Sequence, residues 1–355
     1  MLTPALHQLL HDGAVIPAHP LALTAERRFD ERHQRALTRY YAASGAGGVA
    51  VGVHTTQFEI REPGIDLYEP VLALAADVLD REVDRPFLRV AGVAGPTAQA
   101  VAEAEIAAGL GYHAVLLSPP RPAIGAPEPT EDAMIERAAA VGEVLPVIGF
   151  YLQAAIRGPR LGLSFWRRFA ELESVVAVKA APFDRYRTLD VARAVAGSSR
   201  GADIALYTGN DDAIVADLLS DLTFDGPDGS PVTRRVSGGL LGHWSVWTRR
   251  AVELLDLVRD ARAGDGAAVV ELMSRAAAIT DANAALFDPS HDFAGCIAGV
   301  HEVLRRQGLL AGTWCLDPDE GLSPGQSAEI DRVLRLHPWL SDDEFVAEHL
   351  DGWLR

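Results

Sequence analysis

Eight short runs rich in Val, Ile and Leu recur along the chain, and between them lie longer, alanine-rich amphipathic segments. Apolar runs of this length suit strands buried on both faces, and the intervening segments suit helices that cover them. That pattern belongs to a parallel sheet. The runs fall at Ala14 to Ala18, Gly48 to Val53, Phe87 to Val93, His113 to Ser118, Pro146 to Tyr151, Val175 to Ala180, Ile204 to Thr208 and Val236 to Leu241. Helices are expected at Asp30 to Ser44, Leu67 to Val83, Thr97 to Ala108, Glu131 to Val144, Ser164 to Leu172, Thr188 to Ala196 and Asp212 to Leu219. Thr130 and Ser164 serve as N-caps, because a side-chain oxygen there can satisfy orphan backbone donors.

Such alternation admits a closed barrel or an open doubly wound sheet. The glycine fingerprint of a dinucleotide fold is missing after the first run, which favours an α/β (β/α)8 TIM barrel. Gly45, Gly47 and Gly48 precede the second strand and read as a helix-to-strand turn. Beyond Gly242 the pattern becomes purely helical: Ser245 to Ala263, Ala267 to Leu286, Gly295 to Gln307 and Pro324 to Leu336. The chain therefore divides into a barrel over residues 1–243 and a C-terminal helical extension over 244–355. Phe224 to Pro231, rich in Asp, Gly and Pro, reads as a surface excursion before the eighth strand.

A length of 355 residues and 48% apolar content supply a large core. The formal charge of −17 disfavours nucleic acid and anionic membranes as partners, while leaving a small anion held by a local cation open. Cys296 and Cys315 lack the spacing of a metal or redox pair and read as buried thiols. With no basic start, no signal-like apolar stretch and no long apolar window, the expected location is cytoplasmic.

In a barrel of this kind the active site forms at the C-terminal ends of the strands. That rule selects His54 to Gln57, Ser118 to Arg121, Tyr151, Lys179 and Gly209 to Asp212, together with Pro17 to Pro20 after the first strand. Lys179 ends a run, Val-Val-Ala-Val, with no other polar group. Pointing inward, its ammonium would be desolvated, its pKa lowered, and the neutral amine able to attack a carbonyl. Equally open is a lysine at the strand edge whose head reaches solvent or Asp184. Tyr151, one strand away, could shuttle protons to that amine, or could be a core tyrosine with a satisfied hydroxyl. Thr55 and Thr56 could hold a carboxylate or could be turn residues. His19 and His54 lack the spacing of a metal site, and neither a metal nor any other cofactor is expected. His243, Trp244 and Trp247 read as packing residues.

The segments VIGFYLQ and VVAVKAA, with an interval of 28 from Tyr151 to Lys179, are similar to the fifth and sixth strands of the dihydrodipicolinate synthase and N-acetylneuraminate lyase family. YTGNDD and VSGGLLG resemble that family's seventh and eighth strand regions. The resemblance runs from Gly13 to about Gln307. It implies a Schiff-base lyase or aldolase acting on a pyruvate-like 2-oxo acid, with catalytic Lys179, Tyr151 and Thr56, and with substrate bound by Thr55, His54, Arg157, Gly209 and Asn210. It also implies a homo-oligomer, a dimer or tetramer.

Four departures accompany it. GVHTTQFE places Gln57-Phe58 where the family has a glycine, SPPRP lacks the relay tyrosine after the fourth strand, Arg157 falls one residue later than the family's arginine, and AHPL replaces a Thr-Pro pair. The missing tyrosine argues against authentic dihydrodipicolinate synthase activity. Open alternatives are dehydration or decarboxylation of a sugar-derived oxo acid through the same imine, and a non-catalytic metabolite-binding relative. The imine account depends on an uncharged amine beside a phenol.

Overall fold

The computed structural model describes residues 1–120, 129–156 and 158–355. The described residues form nine strands: β1 (Val15–Pro17), β2 (Gly48–Val51), β3 (Leu88–Val93), β4 (Ala114–Leu117), β5 (Val147–Leu152), β6 (Val175–Ala181), β7 (Ala205–Thr208), β8 (Asp221–Asp225) and β9 (Pro231–Leu241). Eight of them pair in parallel in the order β1-β9-β7-β6-β5-β4-β3-β2. A parallel bridge between Ala18 and Ala50 joins the two ends, with the His19 N–H donating to the Ala50 carbonyl at 2.8 Å. The result is a (β/α)8 barrel. All eight expected strands are present, each end within two residues except the start of β9, which lies five residues earlier.

The ninth strand has a local cause. The stretch read as a surface excursion is the turn of a hairpin, in which β8 runs antiparallel to the first half of β9. Gly226 N–H donates to the Ser230 carbonyl at 2.7 Å, and Gly229 takes φ +80, which only a residue without Cβ adopts freely. The sequence pattern also passed over the helix Pro4–Asp12. Thr3 caps it and Leu6 and Leu10 join the apolar packing inside the barrel, so this helix closes the barrel's N-terminal end.

Both faces of each barrel strand are apolar. Ile16, Ala50, Val90, Leu116, Ile148, Phe150, Ala177, Tyr207 and Leu240 face inward. Val49, Val51, Ala91, Val115, Val178, Leu206 and Leu241 pack outward against the helices. Inward and outward parity is therefore not written in the polarity of these strands, as it would be in a half-exposed sheet.

The C-terminal helices are Thr248–Arg262, Gly266–Phe287, Cys296–Arg306, Gln326–Leu336 and Asp343–Trp353. Their apolar residues share one continuous core with the barrel's outer layer. The buried Asp342 fastens the end of the chain: it accepts from the Tyr40 hydroxyl at 2.7 Å, the Arg249 N–H at 3.1 Å and the Gln307 amide at 2.8 Å. No helix among the described residues is long and apolar enough to cross a membrane.

Candidate active site

β6 carries Lys179 into the barrel mouth, where the residue is 8% exposed and its ammonium lies 4.3 Å from the centre of the Phe150 ring. Burial lowers the lysine's pKa, and the negative charge of Asp211 draws it partly back up. Asp211, at the end of the seventh-strand loop, is itself buried. Desolvation raises its carboxyl pKa, against the pull of Lys179 and of the His243 N–H that donates to its Oδ1 at 2.8 Å. The two groups form a desolvated acid–base pair. The alternative of a lysine reaching outward to Asp184 is excluded by this geometry; Asp184 instead caps the helix Arg185–Ala196.

Lys179 is also the only lysine in the chain, the other 31 basic side chains being arginine. Arginine supplies charge but does not deprotonate in a protein, whereas a buried lysine shifts its pKa readily. The chain's one lysine thus stands where burial favours a neutral amine.

Tyr151 does not face Lys179. Between β5 and β6 the register shifts after Val147, so that Val147 pairs with Val175 but Ile148 pairs with Ala177. Without that bulge Tyr151 would lie opposite Lys179; with it, Phe150 does. The Tyr151 ring packs outward against Trp166 at 5.3 Å. Its hydroxyl donates to the Leu161 carbonyl at 2.8 Å and accepts from the Leu161 N–H and Arg187 at 3.2 Å each. The expected proton-shuttling role does not fit this geometry: the phenol is a satisfied group in the layer between strands and helices.

The two threonines divide. Thr56 Oγ1 accepts from the Gly52 and Val53 N–H groups at 3.0 and 3.2 Å and donates to the His19 carbonyl at 2.7 Å. It locks the second-strand loop, and no hydrogen remains to offer a substrate, which corrects its catalytic assignment. Thr55 Oγ1 is buried, has no partner among the described residues, and belongs to a residue lining the cavity beside Lys179. His54 lines the same cavity. Gln57 stands where the similar barrels' motif has a glycine. It holds φ +68, and its Oε1 accepts from the Leu316 N–H at 2.5 Å, tying this loop to the C-terminal extension.

Gly209 and Asn210 serve as supports. A Cβ at Gly209 would lie 2.4 Å from Lys179 Cε and 2.7 Å from Ala181 Cβ, so glycine is required for the lysine stem to pass. Asn210 is consumed internally, accepting from Phe183 N–H at 3.0 Å and donating to Thr188 at 3.0 Å and Asp217 at 2.9 Å. It holds two loops together rather than a substrate, contrary to its expected binding role. Arg157, and Arg121 and Pro122 of SPPRP, lie outside the described residues. His19 is fully engaged, with Nδ1 near the Pro20 carbonyl at 2.8 Å and Nε2 near Thr38 at 2.9 Å.

The cavity measures about 60 Å³. Sequence reasoning missed most of its wall. Phe287, Phe293 and Cys296 arrive from the C-terminal extension and Phe183 from the loop after β6, while Asp211 and Gln153 supply polar groups. The lone lysine was a legible signal; the covering phenylalanines carried none, because nothing in their local sequence separates a mouth residue from a core one.

No family model matches the sequence, and no curated protein matches it. The fold does have solved counterparts. Dihydrodipicolinate synthase from Oceanobacillus iheyensis is 18% identical, with a TM-score of 0.71 over 94% of this chain and 99% of that one. N-acetylneuraminate lyase from Fusobacterium nucleatum is 16% identical, with a TM-score of 0.69 over 92% and 99%. A prophage protein of the dihydrodipicolinic acid synthase family from E. coli, solved with pyruvate, is 16% identical, with a TM-score of 0.71 over 91% and 98%. The chain has the fold of these barrels, extension included, as the strand resemblance implied.

Proposed function

We propose that the protein is a Schiff-base lyase of the aldolase type, acting on a 2-oxo acid through Lys179. The observation that carries this reading is the chain's single lysine, buried at the barrel mouth with its pKa lowered by desolvation and one carboxyl, Asp211, as charged companion. The neutral amine adds to the C2 carbonyl; the carbonyl oxygen leaves as water and C=N forms. The iminium then accepts the electron pair of the breaking C3–C4 bond, while a base takes the C4 hydroxyl proton and an aldehyde or ketone departs. Protonation at C3 and hydrolysis release the shortened 2-oxo acid and restore the amine. With Tyr151 facing away, the proton traffic falls to Asp211, whose raised carboxyl pKa keeps both of its protonation states accessible near neutrality. Thr55 Oγ1, without a partner among the described residues, is assigned to the substrate carboxylate. Barrels of the same fold that bear the names of lyases, one of them solved with pyruvate, are consistent with this chemistry.

Borohydride with a panel of 2-oxo acids should add the acid's mass irreversibly to the wild-type chain and not to Lys179→Ala. Absence of an adduct across the panel rejects the reading. Phe150, lacking a hydroxyl where it faces the lysine, favours a second reading, a non-catalytic barrel that binds a metabolite. In that case Lys179→Ala would leave ligand affinity unchanged.

A further inference from the structure

Phe183 and Phe293 both line the cavity beside Lys179, and their rings meet edge to face at 6.1 Å. Each holds a left-handed backbone conformation, φ +52 and φ +66. For a residue with a bulky side chain that conformation is costly, and glycine would take it without penalty. Two neighbouring loops thus each carry a strained phenylalanine where glycine would suit the backbone better, and both place the ring against the same small space. Backbone strain of this kind persists where the surroundings impose it, and it clusters at ligand clamps.

The loop bearing Phe293 is itself tightly built. Asp288 and Asp292 are also left-handed, Asp288 Oδ1 sits 2.6 Å from His291 Nδ1, and the Phe293 N–H donates to the Asp288 carbonyl at 3.0 Å. The ring's position is therefore set by its loop.

Around the two rings the described wall is mainly hydrocarbon: Phe150, Phe287, Leu116, Leu152, Val53 and the small residues near them. Its polar groups are few. If Lys179 holds C2, Thr55 the carboxylate and Asp211 the moving proton, the other polar side chains of the described wall are those of His54, Gln153 and Cys296. A polyhydroxylated chain would bury several hydroxyls with too few partners, each a penalty. The space is also small, about 60 Å³ against the ~150 Å³ of an apolar cavity that takes up benzene.

Resting on the imine reading above, we infer that Phe183 and Phe293 are specificity-determining residues that select a short hydrocarbon group on the far side of the substrate's reacting carbon and reject sugar-derived chains. The leaving carbonyl fragment is then a small aldehyde or ketone.

The test is borohydride trapping of the full-length protein with pyruvate, 2-oxobutanoate, 2-oxopentanoate and 2-keto-3-deoxygluconate, each titrated to its half-maximal concentration. Adding a methylene should improve trapping by about fourfold until the cavity is full. The sugar acid should need at least a tenfold higher concentration than 2-oxobutanoate. Phe293→Gly relieves the backbone strain but loses the ring's packing, two effects of opposite sign, so it should stay folded with only a modest shift of its urea midpoint, yet should lose most of that discrimination; Phe183→Gly should do the same. Trapping of the sugar acid as readily as the alkyl acids overturns the inference and leaves Lys179 chemistry intact, as does unchanged discrimination in a folded Phe293→Gly protein. If pyruvate and every other acid fail to trap, the imine reading falls and this inference with it.

Discussion

Gly209→Ala is a direct mechanical test of the site, because the added methyl has nowhere to go. Its carbon would sit 2.4 Å from Lys179 Cε and 2.7 Å from Ala181 Cβ, against the 3.5–4.0 Å at which carbon atoms rest in contact. The Ala181 methyl is fixed on β6 and cannot swing aside, so the lysine stem and the Gly209 loop must separate by about 1 Å. Overpacking of this kind costs about 1–3 kcal/mol, readable as a lower urea midpoint. The larger effect should be on reactivity: a displacement of about 1 Å in a positioned group costs on the order of 100-fold in rate. Intact-mass measurement of pyruvate trapping against time gives that rate. A variant that traps within threefold of wild type would refute the claim that the amine is aimed by the Gly209 loop. A variant that unfolds earlier but traps normally would show that the contact is real but irrelevant to the chemistry.

Other outcomes follow from the same geometry. Tyr151→Phe should leave the trapping rate within twofold while costing about 1 kcal/mol of stability, since the lost hydroxyl serves Leu161 and Arg187 rather than the amine; a large rate loss would return the phenol to the mechanism. Thr56→Val should cost about 1–3 kcal/mol by stranding the buried groups that its hydroxyl satisfies, whereas Thr55→Val should leave stability nearly unchanged and raise the 2-oxo acid concentration needed for half-maximal trapping. Asp211→Asn removes the negative charge that raises the Lys179 pKa, so the pH midpoint of trapping should move downward; an upward move would mean that the carboxyl acts on the lysine in some other way.

The eight strands were legible because each is a short aliphatic run between amphipathic helices, and the ends of those runs lead to the cavity that Lys179 lines. What was not legible is parity. Strand β5 reads Val-Ile-Gly-Phe-Tyr-Leu, apolar on both faces, so nothing in it says whether Phe150 or Tyr151 looks inward. The bulge at Val147–Ile148 decides it by slipping one residue, and an interval of 28 between Tyr151 and Lys179 cannot report a slip. Adjacent threonines pose the same difficulty: Thr55 and Thr56 are chemically alike, and only the 3-10 turn over His54–Thr56 determines which hydroxyl is spent on the Gly52 and Val53 amides. The extension was visible as helices, but its contribution of Phe287, Phe293 and Cys296 to the mouth depends on long-range docking that no local pattern encodes. In contrast, one lysine among 32 basic residues was in plain view in the sequence.

The central claim is that this one amine is uncharged often enough to attack a carbonyl. It is tested most directly by the pH dependence of pyruvate trapping, with the adduct located by peptide mass on the segment containing Lys179. Modification should rise with pH to a midpoint well below the ~10.4 of an ordinary lysine. An adduct confined to the N-terminal amine, or a Lys179 midpoint at the ordinary value, would contradict it.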